Sequence, residues 1–309
     1  MPETAKNPIW FGRFGKVDVL LLATAIFWGG SYLAAKDLTE HASVNSILAF
    51  RFTAAAVIMT LIVLARGNKF SRADWQLGAL YGVAVGTIMQ IETNGIKLTS
   101  ATNAGLIISL TIIFTPILES LWSRSWLPRK FFIAAVGAIV GVALLVSGNG
   151  FKEPNIGDAL MLGAAILRAI TTTAQGKLAE GRKVSSFNVT VVQLTVCGLS
   201  YLALDFGGTV KLVNEFETQQ WLNMAFLVLL CTVFGFVALQ YGILRTSPSR
   251  ASLLLSTEPI WAVLTATVFG GEQLFFVGFI GAALIIGCSY WGLGIENRHR
   301  LALDSNRKA

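Results

Sequence analysis

Long apolar runs, separated by short loops that hold most of the charge, fill the chain almost from end to end. They fall at about 17–35, 44–65, 74–96, 101–122 and 131–147 in the first half. In the second half they fall at about 157–177, 186–205, 221–244, 251–269 and 275–295. About twenty apolar residues rising ~1.5 Å each span a hydrocarbon core of ~30 Å. The pattern therefore predicts an all-α membrane protein with ten transmembrane helices.

The halves repeat one another. A shift of 147 positions lays residues 95–109 on 242–256, with identities at Gly95, Ile96, Thr99, Ser100, Ala104, Leu106 and Ser109. That is seven in fifteen, where a composition this apolar gives roughly one or two by chance. The expected organisation is a basic leader (1–16), a first five-helix repeat (17–148), a second (157–295) and a basic tail (296–309). The run at 17–35 is too long for a signal-peptide core and has no Ala-x-Ala site after it, so it is expected to remain as the first span.

Composition agrees with this reading, since only 13% of the 309 residues are charged and 54% are hydrophobic, against about 25% charged in soluble domains. Charge adds orientation. Following the runs from the leader places Lys36, Lys97, Lys152 and Lys211 on one side and Arg51 and Arg168 within runs, which leaves eighteen of the 24 Lys and Arg on the other side. The positive-inside rule makes that richer side cytoplasmic, with both ends of the chain on it. Five spans per repeat is an odd number, so the second copy enters from the opposite face, giving inverted repeats like those of many secondary transporters. The net charge of +7 lies on short loops without aromatic interleaving, which suits an anionic lipid leaflet and not nucleic acid.

Several segments carry a resemblance to a known family: AIFWGGSYLAAK and SILAFRF, the paired TSATNAGL and TSPSRASLLLSTEPIWA, and FGGEQLFFVGFIGAALIIG. Over about 17–295 the chain resembles the ten-helix drug/metabolite transporter superfamily of the EamA type. Pro248, Glu258, Pro259 and Glu272 match its pattern best. In the first copy Ile112 stands where the motif's proline aligns, with Pro116 one turn later, and no glutamate precedes helix five. Within the superfamily the chain is most similar to YddG-type amino-acid exporters. That similarity implies export of aromatic and other neutral amino acids across a bacterial inner membrane.

Candidate site residues follow from the cost of placing polar groups mid-span, roughly 2.5–3.5 kcal/mol for a charge. Arg168 and Glu258 lie deepest, with Arg51, Glu92 and Glu119 nearer the ends of their runs. Two readings stand for Arg168: a fixed cation that meets a substrate carboxylate, or an internal ion pair with Glu258. Glu258, before Pro259, is likewise a coupling carboxylate or a structural partner, and its first-copy counterpart is Thr111. Polar residues at helical spacing add Trp28 and Ser31 on the first span, Gln90 and Asn94 on the third, and Gln193 on the seventh. Ser109 and Ser256 end the matched stretches. These ten, Trp28, Ser31, Gln90, Asn94, Ser109, Thr111, Arg168, Gln193, Ser256 and Glu258, form the expected substrate site.

Gly78, Gly82 and Gly86, and Gly137 with Gly141, form small-xxx-small rows that read as helix contacts. Cys197, Cys231 and Cys288 sit inside runs without a CxxC spacing and read as packing residues. The only histidines, His41 and His299, fall in predicted loops, and GxxxxGK[ST], HExxH and GxSxG are missing. The sequence thus argues for a transporter that is not an enzyme and carries no cofactor or metal. Its expected partners are amino-acid substrate and membrane lipid, with a monomer as the working assembly. Exporters of other small metabolites or drugs, and a membrane scaffold or receptor, are the alternative readings.

Overall fold

The computed structural model describes residues 15–99, 104, 107–147, 155–269 and 276–308. Expectations that rest on most of the leader, on the start of the 101–122 run, on Lys152 and on Glu272 lie outside the described residues. Every element among the described residues is helical, with no strand: α1 (Lys16–His41), α2 (Val44–Ala65), α3 (Arg72–Leu98), α4 (Thr111–Ser123), α5 (Arg129–Ser147), α6 (Ile156–Ala179), α7 (Ser186–Glu215), α8 (Thr218–Phe226), a π-helical segment (Leu227–Phe234), α9 (Gly235–Arg245), α10 (Pro248–Leu255), α11 (Glu258–Phe269) and α12 (Phe276–Lys308). Among the described residues seven stretches are long and apolar enough to cross a membrane: α1, α2, α6, α7, Thr218–Arg245, Pro248–Phe269 and Phe276–Ala302. The other expected spans correspond to α3, which carries Arg72, Asp74, Glu92 and Lys97, to α4 and to α5.

Polar residues at the loop edges set where the helices begin. Ser71 and Asp74 bond each other's backbone N–H at the start of α3, as Asn155 and Asp158 do at α6, so early amide donors are satisfied without water. Ser43 and Ser185 cap α2 and α7. Asn188 is buried, and its amide donates to the Lys69 carbonyl and to Asp74.

Three expected runs differ in detail. The seventh continues past Asp205 to Glu215 and kinks at Asp205, whose carboxylate accepts from the Ser43 and Ser46 hydroxyls and from the Gly208 N–H. The eighth widens into a π-helical turn, where the Thr232 hydroxyl bonds the Leu227 carbonyl and the Cys231 carbonyl turns to α1. The ninth is broken at Ser256–Thr257 into α10 and α11, just before Pro259, which has no N–H to offer the preceding turn.

The halves interdigitate, with each helix packing mainly on helices of the other half. α2 lies along α7 and α5 along α12, pairs that exchange of the two copies leaves unchanged, while α4 lies against α6 and α10. Other contacts come in exchanged pairs: α3 on α6 answers Thr218–Arg245 on α1, and α1 on α11 answers α6 on α4. This is the pairing that a two-fold relation between the copies produces. Glycine rows permit the close approach. A Cβ at Gly78 would fall 2.5 Å from Val192 Cβ, and one at Gly82 2.7 Å from Val196 Cβ and 2.9 Å from the Gln193 carbonyl oxygen. At Gly141 a Cβ would meet the Gly281 carbonyl oxygen at 2.8 Å. Cys197 and Cys231 are buried, each with its thiol on a backbone carbonyl, and Cys288 packs on Gly137, in keeping with packing roles.

Gly82→Val is expected to destabilise the protein by about 1–3 kcal/mol through overpacking against α7. Gly163→Ala, where no described atom lies within 4 Å of an added Cβ, is expected to be neutral or mildly stabilising. Thermal unfolding in detergent measures both, and equal melting temperatures for the two variants would contradict this account of the α3–α7 contact.

Candidate functional site

Arg168 projects from the middle of α6 into a group of side chains from three other helices. Its Nη1 lies 3.6 Å from Glu258 Oε2, at the start of α11, and its Nη2 lies 3.8 Å from Glu92 Oε1 on α3. The guanidinium carbon stands 4.8 Å from the centre of the Trp28 ring on α1, a cation–π contact. One turn further along α1, the Tyr32 hydroxyl donates to Glu258 Oε1 at 2.8 Å. Both readings of Arg168 thus begin from an ion pair with Glu258, and Glu92 joins it.

Backbone contacts bring these groups together. Between Trp28 and Tyr32 sits Gly29, where a Cβ would fall 2.6 Å from the Glu258 carbonyl oxygen and 2.6 Å from Trp261 Cβ. Only glycine lets α1 and α11 approach so closely that the aromatics on either side of it bracket Glu258. The Trp28 ring is held in turn, because its indole N–H donates to the Cys231 carbonyl of the π-helical turn at 2.8 Å. At Gly235 an added Cβ would meet Trp28 Nε1 at 2.6 Å, so glycine is required on that side too. Arg51 supports the same turn by donating from Nε to the Thr232 hydroxyl.

The two ion pairs at Arg168 are longer than hydrogen bonds, and Glu92 Oε2 is buried with no hydrogen-bond partner among the described residues. The charges are therefore neutralised while hydrogen-bonding capacity remains unused. Beside them lies a cavity of about 30 Å³, lined by six of the expected residues: Trp28, Ser109, Thr111, Arg168, Ser256 and Glu258. Thr172, one turn from Arg168, also lines it. This space holds about one water.

The other four expected residues stand outside the cavity lining. The Ser31 hydroxyl donates to the Trp28 carbonyl of its own helix, and the Asn94 amide to the Gln90 carbonyl. Gln90 Oε1 and Gln193 Nε2 are buried without partners among the described residues, with the Gln193 backbone packed on Gly82 of α3. Tyr32 and Glu92 are the participants that the expected set lacked. Glu92 had a signal, a carboxylate within an apolar run. Tyr32 had only its position one turn from Trp28. Among the described residues no group of three or more His, Cys, Asp or Glu is placed to hold a metal ion.

Comparison with known proteins bears on what such a site does. The pattern of the EamA-like transporter family matches the chain twice, over residues 15–147 and 155–291. The chain is 24% identical over 281 residues to the uncharacterized transporter YyaM of Bacillus subtilis, covering 87% of this chain and 91% of the relative. It is 27% identical over 278 residues to an uncharacterized transporter of Archaeoglobus fulgidus (87% and 83%). To the uncharacterized inner membrane transporter YedA of Escherichia coli it is 23% identical over 272 residues (86% and 87%). A protein of known crystal structure shares the fold with a TM-score of 0.70 at 18% identity, over 89% of this chain and 96% of that one.

Arg168→Met leaves two buried carboxylates without their cation, and removal of one partner of a buried pair costs about 3–5 kcal/mol. The lower end is expected here, since the Arg168 side chain is 18% exposed. Adding Glu258→Gln should restore part of the stability and adding Glu92→Gln most of the rest, read as melting temperature in detergent. If the single variant melts with the wild type, Arg168 does not hold this group together.

Proposed function

This chain belongs to the EamA-like transporter family, and from that membership we propose that it is a secondary transporter exporting neutral, including aromatic, amino acids by alternating access. The two copies are inverted in the membrane, five spans each, with one central pathway between them. The proposed setting is a bacterial inner membrane, with the Lys16 end of α1 and the Arg298 end of α12 on the cytoplasmic side. Interdigitated packing, unchanged by exchange of the copies, supports a pathway along their shared axis.

The observation that carries the substrate assignment is the loose holding of Arg168. A guanidinium is always charged, and its planar fork matches a carboxylate, the one negative group every amino acid shares. Glu92 and Glu258 neutralise that fork from 3.8 and 3.6 Å without hydrogen-bonding it, so its donors remain for an incoming carboxylate. The same two carboxylates suit an ammonium group, and Trp28 with Leu239 and Leu255 supplies an apolar wall. A zwitterion with an apolar side chain needs that combination. The cavity of about 30 Å³ is too small for such a molecule, so loading requires the helices around it to part.

Proteoliposomes loaded with labelled aromatic or branched neutral amino acids are expected to show saturable efflux. Arg168→Lys, which keeps the charge and loses the fork, is expected to weaken apparent affinity by about tenfold, the equivalent of ~1.4 kcal/mol. Efflux no faster than from empty liposomes, with inserted and monodisperse protein, would reject the amino-acid assignment. The orientation has its own check. A single cysteine at exposed Gly207 should react with an impermeant thiol reagent outside intact cells, and one at Ser71 should not. Labelling of Ser71 from outside would overturn the inverted arrangement.

A further inference from the structure

Arg250 is bound quite differently from Arg168. Arg250 lies in α10, and its Nε and Nη2 donate to the two carboxylate oxygens of Asp18, at the start of α1, at 2.8 and 2.9 Å. Its Nη1 is 3.5 Å from Glu296 Oε2 on α12, and Glu296 Oε1 accepts from the Ser247 hydroxyl at 2.7 Å. Next to it, the Ser249 N–H and hydroxyl both donate to Glu119 Oε2 on α4. Carboxylates from α1, α4 and α12 thus hold one eight-residue helix by its first half. Arg250, Asp18 and Glu296 are buried, and each guanidinium nitrogen of Arg250 donates to a carboxylate, unlike those of Arg168.

α10 also separates two spaces. Its first residues, Pro248 and Ser249, line a cavity of about 400 Å³ together with Glu119, Glu296, Lys177 and Arg300. Its far end, Ser252 and Leu255, lines the cavity of about 30 Å³ at Arg168. The helix ends at a ready-made break. At Ser256–Thr257 the backbone ladder is interrupted, and the two side-chain hydroxyls bond the Leu253 and Leu254 carbonyls at 2.6 and 2.9 Å. Because those carbonyls are satisfied locally, α10 can turn relative to α11 without leaving them bare. The first copy breaks at the matching place, Ser109–Leu110, but by the 147-residue shift its counterpart of Arg250 is Asn103, so the arginine belongs to one copy alone.

We propose that α10 is the gate between the larger cavity and the Arg168 site, that the Arg250 fork on Asp18, with Glu296 behind it, latches the gate shut, and that Ser256–Thr257 is its hinge. The inference rests on the reading of the Arg168 cavity as a transport site. In the proposed orientation the latch lies on the cytoplasmic side. Releasing it joins the two cavities, which gives a substrate in the larger space access to Arg168.

The test needs no substrate. In a background free of the three native cysteines, Ser252→Cys places a thiol on the shielded face of α10, and its reaction with a water-soluble maleimide is timed in detergent. Arg250→Gln combined with Asp18→Asn removes both charges of the latch and leaves Glu296 to the Ser247 hydroxyl and the new amide at position 250. This pair is expected to speed labelling about tenfold or more, as loss of ~1.4 kcal/mol of latch strength would. Arg250→Lys should fall between this pair and the wild type. Cysteine at Gly207 should label at one rate in every background. Unchanged labelling at position 252, in protein that melts as a single folded species, would make the group a static brace and overturn the gate. Faster labelling in a protein that exports no amino acid would keep the gate and reject only the amino-acid assignment.

Discussion

A guanidinium within a membrane-spanning bundle must find opposite charge inside the protein, because lipid offers it none. Arg168 meets that requirement through Glu92 and Glu258, and the demand reaches most of the structure. The three charges sit on α6, α3 and α11, which come from both copies, and α1 closes the group with Trp28 and Tyr32. Moving α3, α6 or α11 parts a charge from its partner, so the electrostatics of one residue restrict how the halves can shift. Any opening must therefore bring water or substrate to Arg168 as it breaks those contacts.

Close backbone approach makes the arrangement possible. Gly29 brings α1 against α11, Gly235 makes room for the Trp28 indole, and Gly78 and Gly82 press α3 onto α7. Without a hydrophobic drive between helices in lipid, packing and internal hydrogen bonds supply much of the attraction. The π-helical turn contributes directly, since it presents the Cys231 carbonyl to Trp28. Arg168 and Arg250 then divide the work. Arg250 donates from all three nitrogens and holds; Arg168 is neutralised without a hydrogen bond to either carboxylate and stands beside a cavity.

The family pattern occurs twice in the chain, and divergence gives the two copies different parts of the site. The helix pairing survives exchange of the copies, and both copies break one helix at the same register, Ser109–Leu110 and Ser256–Thr257. Yet Glu258 answers Thr111, Pro259 answers Ile112 and Arg250 answers Asn103.

The sequence by itself determined the class of the protein. Runs of about twenty apolar residues and a low charge content make a helical membrane protein, since lipid forces each backbone to satisfy itself. The 147-residue repeat was equally legible, because identity of residues survives without any knowledge of packing. Mid-span charge singled out Arg168 and Glu258, and six of the ten expected site residues line one cavity. Tertiary structure alone decided the rest: that Glu92 and Tyr32 join the group, that Gln90 and Gln193 stand outside the cavity lining, and that Arg250 meets Asp18 from 232 positions away. Periodicity tells which face of a helix is polar but not which helix that face meets. The choice of partner depends on where a missing Cβ lets two backbones touch, and that is a property of pairs of helices.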